Sequence, residues 1–171
     1  YEHTLALISS DSPAAHVSQR HKAAREELLL LSERYPDRTW WQEQIANLPS
    51  CCLFAGPSEQ VVGELERLRN LPHNQAMAWG RYIPQRDVVE YTVGTYEEIT
   101  PGIFHRLTGT LTSLRHQILS AEINTLRRGL VLDRFYVQDQ DATGVPSTQR
   151  MDDVSQALET ALKNPSDRPP V

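Results

Sequence analysis

The residues from Val88 to Asp139 change hydrophobic period several times over some fifty positions, and this constrains the fold more than any other stretch. Val88, Val89, Tyr91 and Val93 form a β-rich run. Thr100-Pro101-Gly102 then opens a helix, with Thr100 as its N-cap and Pro101 at the first helical position, where a missing N–H is harmless. Ile103, Leu107, Leu111 and Leu114 recur at spacings of three and four, giving that helix one apolar face. Leu119, Ala121, Ile123 and Thr125 alternate with Ser120, Glu122, Asn124 and Leu126, which is the period of a strand. Arg128-Gly129 turns the chain, and Val131, Asp133, Phe135 and Val137 carry it back. Strand, helix, strand, hairpin, strand is most of a split βαβ unit, in which a helix between parallel strands crosses over right-handed.

The flanking segments read differently. Residues 1–74 are expected to form an α-helical segment, its helices over 1–72 in two or three pieces with short breaks. Leu5-Ala6-Leu7-Ile8 reads as the tail of a helix, and the chain, starting at Tyr1, reads as if cut from something longer. Ser12-Pro13 starts a long helix that Pro36 stops. Asp37 caps a second helix carrying Trp40, Trp41, Ile45 and Leu48. Gly56-Pro57-Ser58 opens a third, with Val61, Val62, Leu65, Leu68 and Leu71 on its apolar face. The second expected domain covers residues 75–165, with a loose Pro-rich tail over 166–171. Within it, Ala76 to Tyr82 reads as a strand, and the turn-like Pro84-Gln85-Arg86-Asp87 predicts a hairpin that pairs it antiparallel with Val88 to Thr95. Met151, Val154, Ala157, Leu158, Ala161 and Leu162 line a last helix.

Composition narrows the function. Net charge is −5, with no basic tract, which argues against nucleic acid as a partner. No apolar run approaches the roughly 20 residues of a membrane span. The two cysteines, Cys51 and Cys52, are adjacent, a spacing that strains a disulfide and suits reduced thiols in a cytoplasm. The six histidines are scattered, no His-Asp dipeptide occurs, and the eight glycines form no phosphate loop. No acid–base or nucleophile set converges, so a catalytic role is the weakest of three classes. The other two are a regulatory small-molecule module and a docking module that uses a sheet edge or the helical arm. Glu97-Glu98 reads as a solvated pair well placed beside a helix N-terminus. Asp133, inside a strand on the parity of Phe135, needs a partner, either a backbone N–H or an arginine.

Three runs carry a resemblance: Thr100-Pro101-Gly102-Ile103-Phe104, Gln117-Ile118-Leu119-Ser120-Ala121-Glu122-Ile123, and Leu132-Asp133-Arg134-Phe135-Tyr136-Val137-Gln138-Asp139. Together they resemble the ACT domain region of bacterial protein-PII uridylyltransferases, bifunctional nucleotidyltransferases that also remove uridylyl groups. Residues 88–164 carry the match, and the helices of 1–72 then resemble the region leading out of that family's HD domain. The resemblance implies an α+β, ferredoxin-like ACT domain, βαββα with an extra N-terminal strand, preceded by a helical segment. It implies a cytoplasmic regulatory domain in nitrogen regulation that binds an amino acid and is not itself catalytic. Glutamine is the implied effector, the PII signalling protein the partner of the parent enzyme, and pairing into a homodimer the implied assembly. The implied effector site is Glu98, Ile99, Thr100, Pro101, Gly102, Ile103 and Gln117. The turn offers N–H groups at a helix N-terminus to a carboxylate, and Gln117 offers both a donor and an acceptor to the head group. A ligand bridging turn and strand would bias how the domain sits on the helical arm, the coupling that allostery requires. Glu98 would oppose an effector carboxylate, so the expected affinity is about millimolar, roughly 4 kcal/mol.

Overall fold

The computed structural model describes residues 13–163. The expected helix tail at Leu5 to Ile8 and the loose tail over 166–171 lie outside these residues. The described chain falls into two compact units that divide between Glu66 and Arg67.

The first unit is helical. α1 (Pro13–Ser32) is a long helix on which only Leu28 and Ser32 are buried. α2 (Arg38–Ala46) starts where Asp37 caps it by accepting from the Trp40 N–H at 3.3 Å, and it buries Trp40, Trp41 and Ile45. Arg25 reaches from α1 to the last carbonyls of that segment, donating to Ile45 O and Leu48 O at 3.2 Å each. A short helix missing from the sequence reading, α3 (Ser50–Leu53), follows Pro49. α4 (Ser58–Arg69) begins just after Pro57, and Val61, Val62, Leu65 and Leu68 are all buried, as their spacing requires.

The second unit is a four-stranded antiparallel sheet with two helices. The elements are β1 (Met77–Ile83), β2 (Val88–Tyr96), α5 (Ile103–Ser113), β3 (His116–Thr125), a 3₁₀ turn at Arg127–Gly129, β4 (Leu130–Asp139) and α6 (Thr148–Ala161). Strand order is β1-β2-β4-β3. This is consistent with a ferredoxin-like arrangement in which the edge place beside β2 is filled by β1, the strand that precedes it in the chain. The expected hairpin forms, with Met77 opposite Gly94 and Ile83 opposite Val88. The β3–β4 hairpin turns through Arg128 and Gly129, both at positive φ, so the glycine sits where a left-handed backbone favours it.

The two sheet faces differ. One face packs α5 and α6 onto Val89, Tyr91 and Val93 of β2 and Phe135 and Val137 of β4, with Leu107, Leu111, Val154, Leu158 and Leu162 from the helix side. All ten of these residues are buried, and truncating Leu158 to Ala is expected to lose about 2–5 kcal/mol in a urea melt. The other face carries a charged row. Arg81 Nη2 donates to Glu90 Oε1 at 3.2 Å, Arg134 Nη1 stands 3.8 Å from the same oxygen, and Arg134 Nη1 donates to Thr92 Oγ1 at 3.1 Å. Leu68, in the last residues of α4, which belong to the second unit, lies against Gly94 on this face; a side chain at 94 would collide with it. Because both faces of β2 are covered, all nine of its residues are buried.

Candidate functional site

The turn between β2 and α5 brings a buried polar atom without a partner, Thr100 Oγ1, next to a helix N-terminus. The sequence predicts Thr100 as the helix N-cap. In the structure Pro101 and Gly102 form a turn, and Gly102 itself holds the N-cap position at φ 70°, with no side chain capping the helix. Two consequences follow. The N–H groups of the first turn of α5 lack both an intrahelical and a side-chain acceptor. Thr100, released from capping, is buried, and its Oγ1 has no hydrogen-bond partner. Gly102 has open space where a Cβ would stand, so only its left-handed backbone resists a side chain. Gly102→Val is therefore expected to lose about 1–2 kcal/mol in a urea melt through backbone strain alone.

Beside this turn is a cavity of about 290 Å³ lined by Glu97, Thr100, Pro101, Gly102, Ile103, Phe104, Ile123, Thr125, Val131 and Asp133. Asp133 is the unusual member. Only 1% of the residue is exposed, and its Oδ1 accepts a hydrogen bond from the Asn124 N–H at 3.3 Å. Burial pushes its carboxyl up to about 6, and the Asn124 N–H only partly offsets this. Of the two partners the sequence allows, a backbone N–H and an arginine, the backbone N–H is found here, and a single neutral donor is little compensation for a buried carboxylate. No lysine, arginine or histidine lines the cavity. Glu97 adds a second carboxylate at its exposed rim.

The residues that the resemblance implies do not all meet here. Thr100, Pro101, Gly102 and Ile103 line the cavity; Glu98 and Ile99 do not. Glu98 is exposed, and Ile99 is buried in the turn, its N–H donating to Tyr96 O at 3.1 Å. Gln117 lies at the far end of the sheet. It pairs with Gln138 near the start of β3, eight residues and roughly 25 Å of strand from Thr125. Gln117 therefore cannot share a ligand with the turn in one chain.

At that far end Gln117 and Asp139 line a different cavity of about 250 Å³. Asp139 is held by Arg150, whose Nε donates to Oδ2 at 2.9 Å, and by the Asp141 N–H at 2.9 Å. Burial works to raise the Asp139 carboxyl, but these donors and the neighbouring charges hold it below the ordinary range. His116 Nε2 stands 3.6 Å from Asp139 Oδ2, and burial keeps this imidazole below its usual value against the pull of that carboxylate. This carboxylate is already satisfied, in contrast to Asp133. Asp133 is visible in the sequence as a charge on a core-facing parity, but its meeting with the turn depends on strand register, which no local pattern reveals.

No family model matches the chain. It is 34% identical over 80 residues to the bifunctional uridylyltransferase/uridylyl-removing enzyme of Gluconobacter oxydans (strain 621H), covering 47% of this chain and 8% of that protein. It is 24% identical over 131 residues to the enzyme of the same name from Zymomonas mobilis subsp. mobilis (strain ATCC 31821 / ZM4 / CP4), covering 77% of this chain and 13% of that one. The chain thus resembles a region of these enzymes and spans only about a tenth of their length. Among the described residues no three His, Cys, Asp or Glu side chains gather as a metal site, and no helix is long and apolar enough to cross a membrane.

Proposed function

We propose that this chain is a regulatory, non-catalytic segment of an enzyme of the uridylyltransferase/uridylyl-removing kind, and that it senses a free amino acid beside the Pro101-Gly102 turn. The observation that carries this reading is the buried Asp133 carboxylate, met in one cavity by the unpartnered Thr100 hydroxyl and an uncapped helix N-terminus. The three groups match an amino-acid head group. The α-ammonium pairs with Asp133 and donates a further hydrogen bond to the Thr100 oxygen, while the α-carboxylate accepts from the first-turn N–H groups of α5. The size agrees, since the cavity is at or below the lower end of the roughly 300–1,000 Å³ of small-molecule pockets. In such an enzyme the effector would report nitrogen status and bias modification of the PII protein, and glutamine is the amino acid the resemblance implies.

The test is a thermal-shift panel of free amino acids on the whole chain. A ligand at about ten times its Kd should stabilise the chain by roughly 1.4 kcal/mol, read as a rise of several degrees in Tm. No shift with any amino acid would contradict the reading. It would favour docking through the β3 edge, where Leu119 and Ile123 are 46% and 51% exposed.

A further inference from the structure

We infer that His116 is an acid-sensitive catch in the turn between α5 and β3: taking up a proton there releases this turn from the end of β4 and the first turn of α6 while the sheet stays folded. The catch lies at the end of the sheet remote from the Pro101-Gly102 turn, and its test needs no ligand.

The turn is strained and is held from outside. Arg115 has a φ of 61°, a left-handed backbone that a residue with a side chain adopts at a cost. Two carbonyls carry the main holds. Arg115 O accepts from the Gln140 N–H at 3.0 Å, and Leu114 O accepts from Arg150 Nη2 at 2.7 Å. The Arg115–Asp141 ion pair at 2.7 Å is exposed and adds little. Arg150 is itself fixed on Asp139, its Nε donating to Oδ2 at 2.9 Å, and the Asp139 side chain is only 2% exposed. One buried carboxylate thus ties the turn, the end of β4 and the start of α6 together.

His116 is the group in the turn that can undo this. It is 4% exposed and sits directly across the strands from Asp139. Its Nε2 stands 3.6 Å from Asp139 Oδ2, and neither ring nitrogen has a hydrogen-bond partner. The groups that face it are Asp139 from β4, Arg150 from α6, the Leu111 and Leu114 carbonyls from α5, and Tyr91 from β2, whose ring meets the imidazole edge-on at 5.9 Å. Burial and Arg150 oppose a proton, Asp139 and the two carbonyls favour one, and burial is the largest influence. Burial also holds the Tyr91 phenol up, so it stays neutral beside the ring. A charged imidazole therefore needs water, and opening the strained turn brings water to it while β2 and β4 stay in their ladder. The closed turn keeps His116 neutral, and the open turn lets it titrate near its ordinary 6.5. Opening takes up a proton, so it becomes easier as pH falls below about 6.5.

The experiment is amide hydrogen exchange by NMR on the whole chain from about pH 7.5 to about pH 5.5, read as protection factors so that the intrinsic pH dependence cancels. The Gln140 N–H reports the contact with Arg115 O. Its protection is expected to fall roughly three- to tenfold between about pH 6.5 and 5.5, the upper figure being one proton taken up per opening. Amides of the β2–β4 ladder should lose no protection over the same range. His116→Phe keeps a ring against Tyr91 but cannot titrate, and His116→Gln cannot titrate either; in both, Gln140 protection should stay level. Level protection in the parent would overturn the catch, and so would an equal loss in the two variants. A parallel loss across the β2–β4 ladder would also overturn it, because the whole unit would then be opening.

Discussion

Replacing Asp133 with asparagine is expected to abolish amino-acid binding and to make the free chain more stable at neutral pH. The two effects share one cause. Asp133 is buried, and its carboxyl is raised from 3.8 to about 6. Between pH 4 and pH 6, roughly, the folded chain keeps a proton there that the unfolded chain has released, so stability falls as pH rises through this window. Above about pH 6 the folded protein bears the full penalty of a buried charge. A shift of about two units at 1.36 kcal/mol per unit amounts to roughly 3 kcal/mol, which the Asp133→Asn change would recover. Denaturant melts should therefore show the parent losing stability from pH 4 to pH 7 and the variant nearly flat. Binding should move the other way. An ammonium ligand needs the ionised carboxylate, so affinity should drop about tenfold for each pH unit below 6. Removing the charge should weaken binding by at least roughly 30-fold, the lower end for one partner of a buried charge pair. A carboxylate that destabilises the free fold is the pattern of a group kept for its ligand.

The opposite sheet face predicts the second large effect, and there the sign is reversed. Glu90 is 4% exposed and receives Arg81 directly, with Arg134 close by at 1% exposure. Glu90→Ala removes the carboxylate that stands between these two arginines and should destabilise the chain by about 3 kcal/mol, the lower end for breaking a buried pair. The phenol of Tyr136, opposite Glu90, is held up chiefly by burial, then by the Glu90 and Glu122 charges. Glu90→Leu combined with Arg134→Met should lose much less than the sum of the single changes, because an apolar pair leaves no uncompensated charge. A double-mutant cycle by urea denaturation reads both values.

The sequence made most of the architecture legible because local periodicity dominates it. The strands around Tyr91 and Phe135 alternate, the leucines of α5 and α4 recur at helical spacing, and the Pro84 to Asp87 turn identifies the hairpin, whereas in β3 a register shift between Ile118 and Ser120 interrupts the alternation and leaves Leu119, Ala121 and Ile123 exposed. Three features escaped. The four-residue α3 after Pro49 is too short to show a helical period. The N-terminus of α5 shifts from Thr100 to Gly102 because a left-handed glycine can start the helix without a side-chain cap, and a threonine before proline resembles a cap in sequence alone. The candidate site shifts from Gln117 to Asp133 for a topological reason. Residues that follow a helix return to the sheet at the end opposite the turn that starts it, so Gln117 and Gly102 end up a strand length apart. Asp133, on the next strand, comes back to the turn, but only the β2–β4 register, Val93 opposite Asp133, places it there.

The most direct test of an amino-acid site centred on Asp133 is an NMR titration of its side-chain carboxyl carbon, with and without saturating glutamine. In the free chain the carboxyl should titrate near pH 6, and in the complex well below that, because the bound ammonium favours the ionised form. A ligand that saturates the chain while the Asp133 titration stays in place would contradict the account, since the head group would then be held somewhere else.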